Sequence, residues 1–307
     1  MTATGNEAVT LAQLRTATGS AGSGGATGGE AVTIAQAAQA LGATPTGTPD
    51  VGGRAIRLSQ LKTAVDAFSS VKIVPWSKGT DEQIAAMVAA ADAGEIVLSD
   101  YWRAGNTRTV HLSAMAASSG IRETHAAQDV QFVLTDPGHY TLANGQPCSF
   151  VVLQKDSLKE SGVMNGQGTN RGGWNGCARR AWCNGTYRNS IPATLRPIFK
   201  QFKTYAANGP GSTAIESTDY FALFSEKEIF GSTNYANQMA EAQNSQLDYY
   251  KNLKNRVKRL SGGLPSIWRE RSPTGSDSSG FCRVSKSGNS GAINADANSG
   301  IAPFGCI

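Results

Sequence analysis

Trp268-Arg-Glu-Arg-Ser-Pro273, then Gly280-Phe-Cys-Arg-Val-Ser285, then a Ser/Asn/Gly/Ala stretch closing on Gly300-Ile-Ala-Pro-Phe-Gly-Cys-Ile307: this tail decides how the chain is read. Two apolar, strand-like pieces, Phe281 to Val284 and Ile301 to Ile307, bracket small polar residues without a hydrophobic period, which predicts a loop. A chain that closes on an apolar strand has its terminus tied into a sheet. The loop before it is then displayed from a rigid base, where binding residues commonly sit. Ile301, Pro303, Phe304 and Ile307 are expected in the central sheet, packed near Trp268 and Phe281.

Upstream, Thr80-Asp-Glu-Gln83 is a capping box that opens a helix with Ile84, Met87, Val88 and Ala91 on one face and Gly94 just past its end. Strand-like runs follow at Glu95 to Trp102, Arg108 to Met115, Val130 to Leu134 and Ser149 to Leu153. Turn-rich breaks at Gly105-Asn106 and Asn144-Gly145 suit antiparallel hairpins. Ile191 to Phe202 reads as a helix with Pro197 as a kink, Asp219 to Ser225 as a strand running into Glu226-Lys-Glu-Ile-Phe, and Met239 to Leu260 as a long polar helix. The sum is α+β, with short strands and a main domain spanning 73–307.

The ordered motifs resemble a family of phage-encoded C-type-lectin-like domains of unknown function. Tyr101-Trp102, Arg108-Thr-Val-His-Leu112 and Gln131-Phe-Val-Leu134 are similar to its opening hairpin. Gly172-Gly-Trp-Asn-Gly-Cys-Ala-Arg-Arg180, Trp182-Cys-Asn184 and Leu195-Arg-Pro-Ile-Phe-Lys200 are similar to its centre. Asp219-Tyr-Phe-Ala-Leu223 and Ser225-Glu-Lys-Glu228 are similar to the part before the tail. Arg269 stands where the family usually has a second Trp. The resemblance implies a C-type-lectin-like fold in a bacteriophage virion protein, made in the host cytoplasm and serving as a receptor-binding tail or fibre component. A head fibre or capsid-decorating protein without a specific receptor is the alternative. The implied ligand is a host surface glycan or protein. The expected binding face is Arg269, Arg271, Asp277, Ser278, Ser279, Arg283, Ser285, Asn289, Asn294, Asp296 and Asn298.

Residues 1–72 form a repeat arm. Ala8-Val-Thr-Leu-Ala-Gln-Leu14 recurs as Ala31-Val-Thr-Ile-Ala-Gln-Ala37 and Ala55-Ile-Arg-Leu-Ser-Gln-Leu61, at spacings of 23 and 24 residues. Each copy reads as a short extended piece followed by one or two helical turns, and isolated helices that short are marginal in water. Val9, Leu11, Leu14, Val32, Ile34, Ile56, Leu58 and Leu61 are therefore expected to anchor the arm on other virion proteins or on neighbouring subunits of a homo-oligomer, with a trimer favoured.

Charge and chemistry narrow the remaining readings. Charged residues are 17% of the chain and the net charge is +5, too small and scattered to specify nucleic acid. Lys251, Lys254, Arg256, Lys258 and Arg259, the basic cluster, read as a solvated helix face. Apolar runs stay short of the ~18 residues of a membrane span, and Met1 precedes no signal-peptide pattern, so neither membrane insertion nor export is expected. His111, His125 and His139 recur every fourteen residues, a spacing that assembles no metal site locally, and neither a metal nor a cofactor is expected. Cys148, Cys177, Cys183, Cys282 and Cys306, an odd number, read as small buried hydrophobes. The segment from Gly172 to Cys183 also resembles the paired-cysteine stretch of copper-dependent formylglycine-generating oxidases. Those enzymes carry their pair near the C-terminus, so this remains a remote alternative and the chain is expected not to be an enzyme.

Overall fold

A computed structural model describes residues 71–211, 213–260 and 263–307. The repeats and the eight anchor positions, Val9, Leu11, Leu14, Val32, Ile34, Ile56, Leu58 and Leu61, lie outside the described residues. Two compact units are present. The larger comprises Pro75–Ala85 and Trp102–Ile307, while 71–74 and 86–101 belong to the other. The architecture is α+β, with small antiparallel sheets and few helices.

In the larger unit, strands β1 (Thr107–Leu112), β2 (Gln128–Thr135) and β3 (Val151–Gln154) are joined by β11 (Phe304–Cys306) in the order β1-β2-β3-β11. β4 (Phe202–Ala207) pairs with β5 (Ala214–Asp219), and β6 (Lys258–Arg259) with β7 (Pro265–Ser266). β8 (Trp268–Pro273), β9 (Gly280–Val284) and β10 (Ser290–Asn294) form a three-stranded sheet in the order β10-β9-β8. β1 alternates exposed and buried positions over Thr109 to Leu112, as a strand with one wet face should. The central β3 is buried throughout.

The tail strand sits where an apolar terminus must. Phe304 pairs with Leu153 and Cys306 with Val151, and every residue from Ile301 to Ile307 is buried. The Phe304 ring stacks on Phe224 at 4.0 Å between centroids and lies 5.0 Å from Tyr140 and 5.1 Å from Phe202. Trp268 meets the tail at Gly300, where the two form a parallel bridge. A Cβ on Gly305 would come within 2.8 Å of the Phe199 ring and 2.9 Å of Phe221, so only glycine lets this strand approach so closely. All five tryptophans are buried.

The Asp81–Asp92 helix has its capping box: Thr80 N–H donates to Gln83 Oε1 at 2.9 Å and Gln83 N–H to Thr80 Oγ1 at 3.3 Å. Gly94 follows at φ 75°. Among the described residues no helix is long and apolar enough to cross a membrane.

Four expected elements are different. Leu98–Tyr101 is a short helix, not part of a strand. In place of a helix over Ile191 to Phe202 there is one 3-10 turn, Arg196–Ile198, and Phe202 already begins β4. Pro192 and Pro197 withhold two N–H donors from that stretch. In place of a long helix over Met239 to Leu260 there are the short turns Asp248–Lys251 and Leu253–Arg256, followed by β6. Asparagines in and just before that stretch are engaged elsewhere: Asn237 Oδ1 accepts from Met239 N–H, and Asn244 Nδ2 donates to Tyr205 O and Glu241 Oε2. Such side-chain bonds compete with helix, and no apolar stripe compensates. Finally, the stretch after Val284 is not one loop, because Ser290–Asn294 returns as β10, Ala292 opposite Cys282 and Ile293 opposite Phe281.

Candidate functional site

The β9–β10 hairpin and the turns flanking it carry nine of the eleven expected binding residues. Its tip closes through Ser285 N–H to Asn289 O at 2.7 Å and Asn289 N–H to Ser285 Oγ at 2.9 Å, with Gly288 at φ 84° in the left-handed region. Between β8 and β9, Asp277 Oδ1 accepts from the N–H groups of Ser279 (2.8 Å) and Gly280 (2.9 Å). The Ser279 backbone bond, first among these partners, holds the Asp277 carboxyl below its ordinary pKa. Asp277, Asn289, Asn294, Asp296 and Asn298 are exposed, and Ser278, Ser279, Arg283 and Ser285 are half-buried.

Arg269 and Arg271 do not belong to that face. Both are fully buried, because their partners are interior groups invisible to local spacing. Arg269 donates to Ile293 O (3.2 Å), Asn294 O (2.7 Å) and Ala297 O. It therefore ties the end of β10 and the following turn from beneath. Burial, then the nearby Arg179 charge, disfavours its cation and lowers its pKa. Arg271 grips Glu228 with two parallel bonds of 2.5 and 2.6 Å, the fork geometry a guanidinium is built for. Burial alone would raise Glu228, but the charge and hydrogen bonds of Arg271 outweigh it and hold the carboxyl low.

Two more buried groups fix the loops. Glu226 Oε2 accepts from the N–H groups of Asn234 (3.0 Å), Tyr235 (3.0 Å) and Ala236 (2.8 Å), and Glu226 Oε1 from the Ser290 hydroxyl. Asn170 Nδ2 donates to Gly280 O at 2.7 Å and Asp277 O at 2.9 Å. Glu270 is the exception: fully buried, it has no hydrogen-bond partner for either oxygen. Burial, reinforced by Glu226 and Glu241, pushes its pKa well above the carboxylate range.

Beside the hairpin lies a recess of about 510 Å³ lined by Phe230, Asn234, Tyr235, Arg256, Asn289 and Ser290. Arg256 lies 5.0 Å from the Phe230 ring centroid and its Nε donates to Tyr250 O at 3.0 Å. Tyr235 is 46% exposed. Phe230, Asn234 and Tyr235 escaped the sequence reading; the signal for them is the turn-rich Gly231-Ser-Thr-Asn234 after the Glu226–Phe230 helix. The basic cluster is not one helix face, and Lys258 is fully buried, its Nζ donating to Gln154 O (2.7 Å) and Lys155 O (2.8 Å) 5.0 Å from the Trp268 ring.

His111 pairs with Asp129 at 2.8 Å, His125 is buried 3.3 Å from Glu160, and His139 lies edge-on to Tyr140. Among the described residues no group of three or more His, Cys, Asp or Glu is arranged to hold a metal ion. The five cysteines are buried and unpaired. Cys177 caps the Ala178–Trp182 helix by accepting from Arg180 N–H, and burial raises its thiol to about 12 and raises Cys183 as well. Arg179, between them in the sequence, is buried in an ion pair with Glu123.

Residues 149–307, from just before β3 through the tail strand, match the family described as Domain of unknown function (DUF6273). The chain belongs to that family. The DUF6273 region holds the whole hairpin face, the recess and the buried arginines beneath them. No curated protein and no solved structure matches the chain.

Proposed function

We propose that this chain is a bacteriophage virion protein whose larger unit is a C-type-lectin-like display domain binding a host surface glycan or protein. The reading is supported most by the division of labour in the DUF6273 region. A wholly buried tail strand and buried arginines hold a hairpin whose outward residues are mostly small and polar, and exposed or half-buried. The neighbouring recess offers Tyr235 and Asn234 beside Asn289, a mixture of ring and amide suited to sugar or peptide. The role we assign to this face is recognition. The repeats at 23 and 24 residues suit an arm that docks a homo-oligomer, a trimer in our reading, on other virion proteins.

Gold-labelled antibody against the hairpin, applied to purified particles, tests this. Label at the tail or fibre tips is the expected result. Label spread over the shell would move the chain to the head, as a fibre or capsid-decorating protein. Label on no particle would end the virion reading.

A further inference from the structure

A second recess shares no lining residue with the one beside the hairpin. Loops around Ser119 and Gln167, the helical stretch from Asn175 to Asn184, and the end of β5 enclose a cleft of about 950 Å³. That volume is at the upper end of the ~300–1,000 Å³ of small-molecule sites, but such sites are mostly apolar. This lining is mixed, with Arg122, Arg171, Gln167, Asn175, Gln201 and Tyr220 among its side chains.

The floor is built and rigid. Asp219, fully buried, accepts from Arg180 Nε (2.7 Å), Trp174 Nε1 (2.8 Å) and Asn184 Nδ2 (2.9 Å). Asn184 Oδ1 in turn accepts from Tyr220 N–H at 2.6 Å, and Arg188 lies over the Tyr220 ring at 3.9 Å. Arg180 also donates to Asn175 Oδ1 at 2.8 Å and Thr218 O at 3.1 Å, so its charge is taken up by the floor. The rim is different. Arg122 and Arg171 are exposed, and neither guanidinium has an ion-pair or hydrogen-bond partner among the described residues. With Asp219 neutralised by Arg180, the cleft presents two uncompensated cations and a set of amides.

We infer that this cleft binds an acidic saccharide, its carboxylate or phosphate groups on Arg122 and Arg171 and its hydroxyls on the Gln167, Asn175 and Gln201 amides. A planar guanidinium matches either acid with paired charge-assisted bonds. Single-stranded nucleic acid fits less well, since it needs a track of cations with successive stacking rings, and here one tyrosine is already covered by Arg188. The inference stands on the cleft alone and holds whether or not the chain is a virion component.

Titration calorimetry on the full chain decides it, with trigalacturonate, a glycerol-phosphate trimer and neutral maltotriose as probes at about 50 and 300 mM NaCl. At least one acidic probe should bind, weakening with salt, and maltotriose should not; the probe that binds distinguishes carboxylate from phosphate. Arg122→Gln with Arg171→Gln should weaken binding by about tenfold or more while leaving the melting temperature unchanged, because both residues are exposed. Ser278→Ala with Asn298→Ala should leave it unaffected. Absence of binding by both acidic probes, equal binding of maltotriose or of a single-stranded DNA octamer, or undiminished binding by the double arginine variant would overturn the assignment.

Discussion

Replacing Arg271 with leucine isolates the most consequential charge in the interior. The guanidinium donates to Glu228 through both nitrogens, to Leu223 O at 2.9 Å and to Tyr205 O at 3.3 Å, all out of water. Removing one partner of a buried pair strands the other, which costs about 3–5 kcal/mol. Against a total stability of ~5–15 kcal/mol that is a large fraction. With a urea slope of about 2 kcal/mol/M, the unfolding midpoint at pH 7 should fall by about 2 M. The pH dependence carries a sign. In the parent, Glu228 is held below its ordinary value, so its contribution is present above the unfolded pKa of ~4.3 and is lost as pH falls through the folded value. Without Arg271, burial raises the same carboxyl, so the variant's deficit should shrink as pH drops from 7 towards 5. Adding Glu228→Gln should recover more than half of the loss. A single variant within about 1 kcal/mol of the parent at pH 7, or a double variant no better than the single one, would refute the reasoning.

Deleting Pro303 to Ile307 removes Phe304 and Ile307 from the core at about 2–5 kcal/mol for each large side chain, so the shortened protein should be mostly insoluble on expression; a cooperative melt like the parent's would show the tail to be dispensable. Glu270 is raised by burial, so the parent should lose stability as pH climbs from ~4.3 towards the folded value. Glu270→Gln should flatten that slope in urea titrations across pH. Arg269→Leu should speed amide hydrogen exchange at Ile293 to Ala297 more than in β3, and uniform protection would contradict its role beneath the hairpin.

What the sequence disclosed follows from range. Thr80 and Gln83, three residues apart, announce a helix start, and the apolar terminus after Gly300 announces a strand. The alternation of Val110 and Leu112 marks a face. Local chemistry stops there. Arg271 looks like a surface charge until Glu228, forty-three residues earlier, is seen folded onto it. Arg269 reads as part of a binding face for the same reason, its acceptors being backbone carbonyls without any side-chain signature. Met239 to Leu260 misled because helix-forming composition says nothing about where Asn244 will find acceptors. The cleft is illegible for a related cause, its rim being drawn from segments as far apart as Ser119 and Tyr220.

The pairing of Phe304 with Leu153 has a kinetic meaning. β3 waits for a partner far along the chain, and the ring that fills the space between Phe224 and Tyr140 arrives with it. Contacts of such long sequence separation close slowly, so folding should be rate-limited by one late, all-or-none event. Until then one side of β3 is an open edge, apolar at Val151 to Leu153, and a template for pairing with another chain. Refolding yield should therefore fall steeply with protein concentration, while the rate of the productive step stays the same.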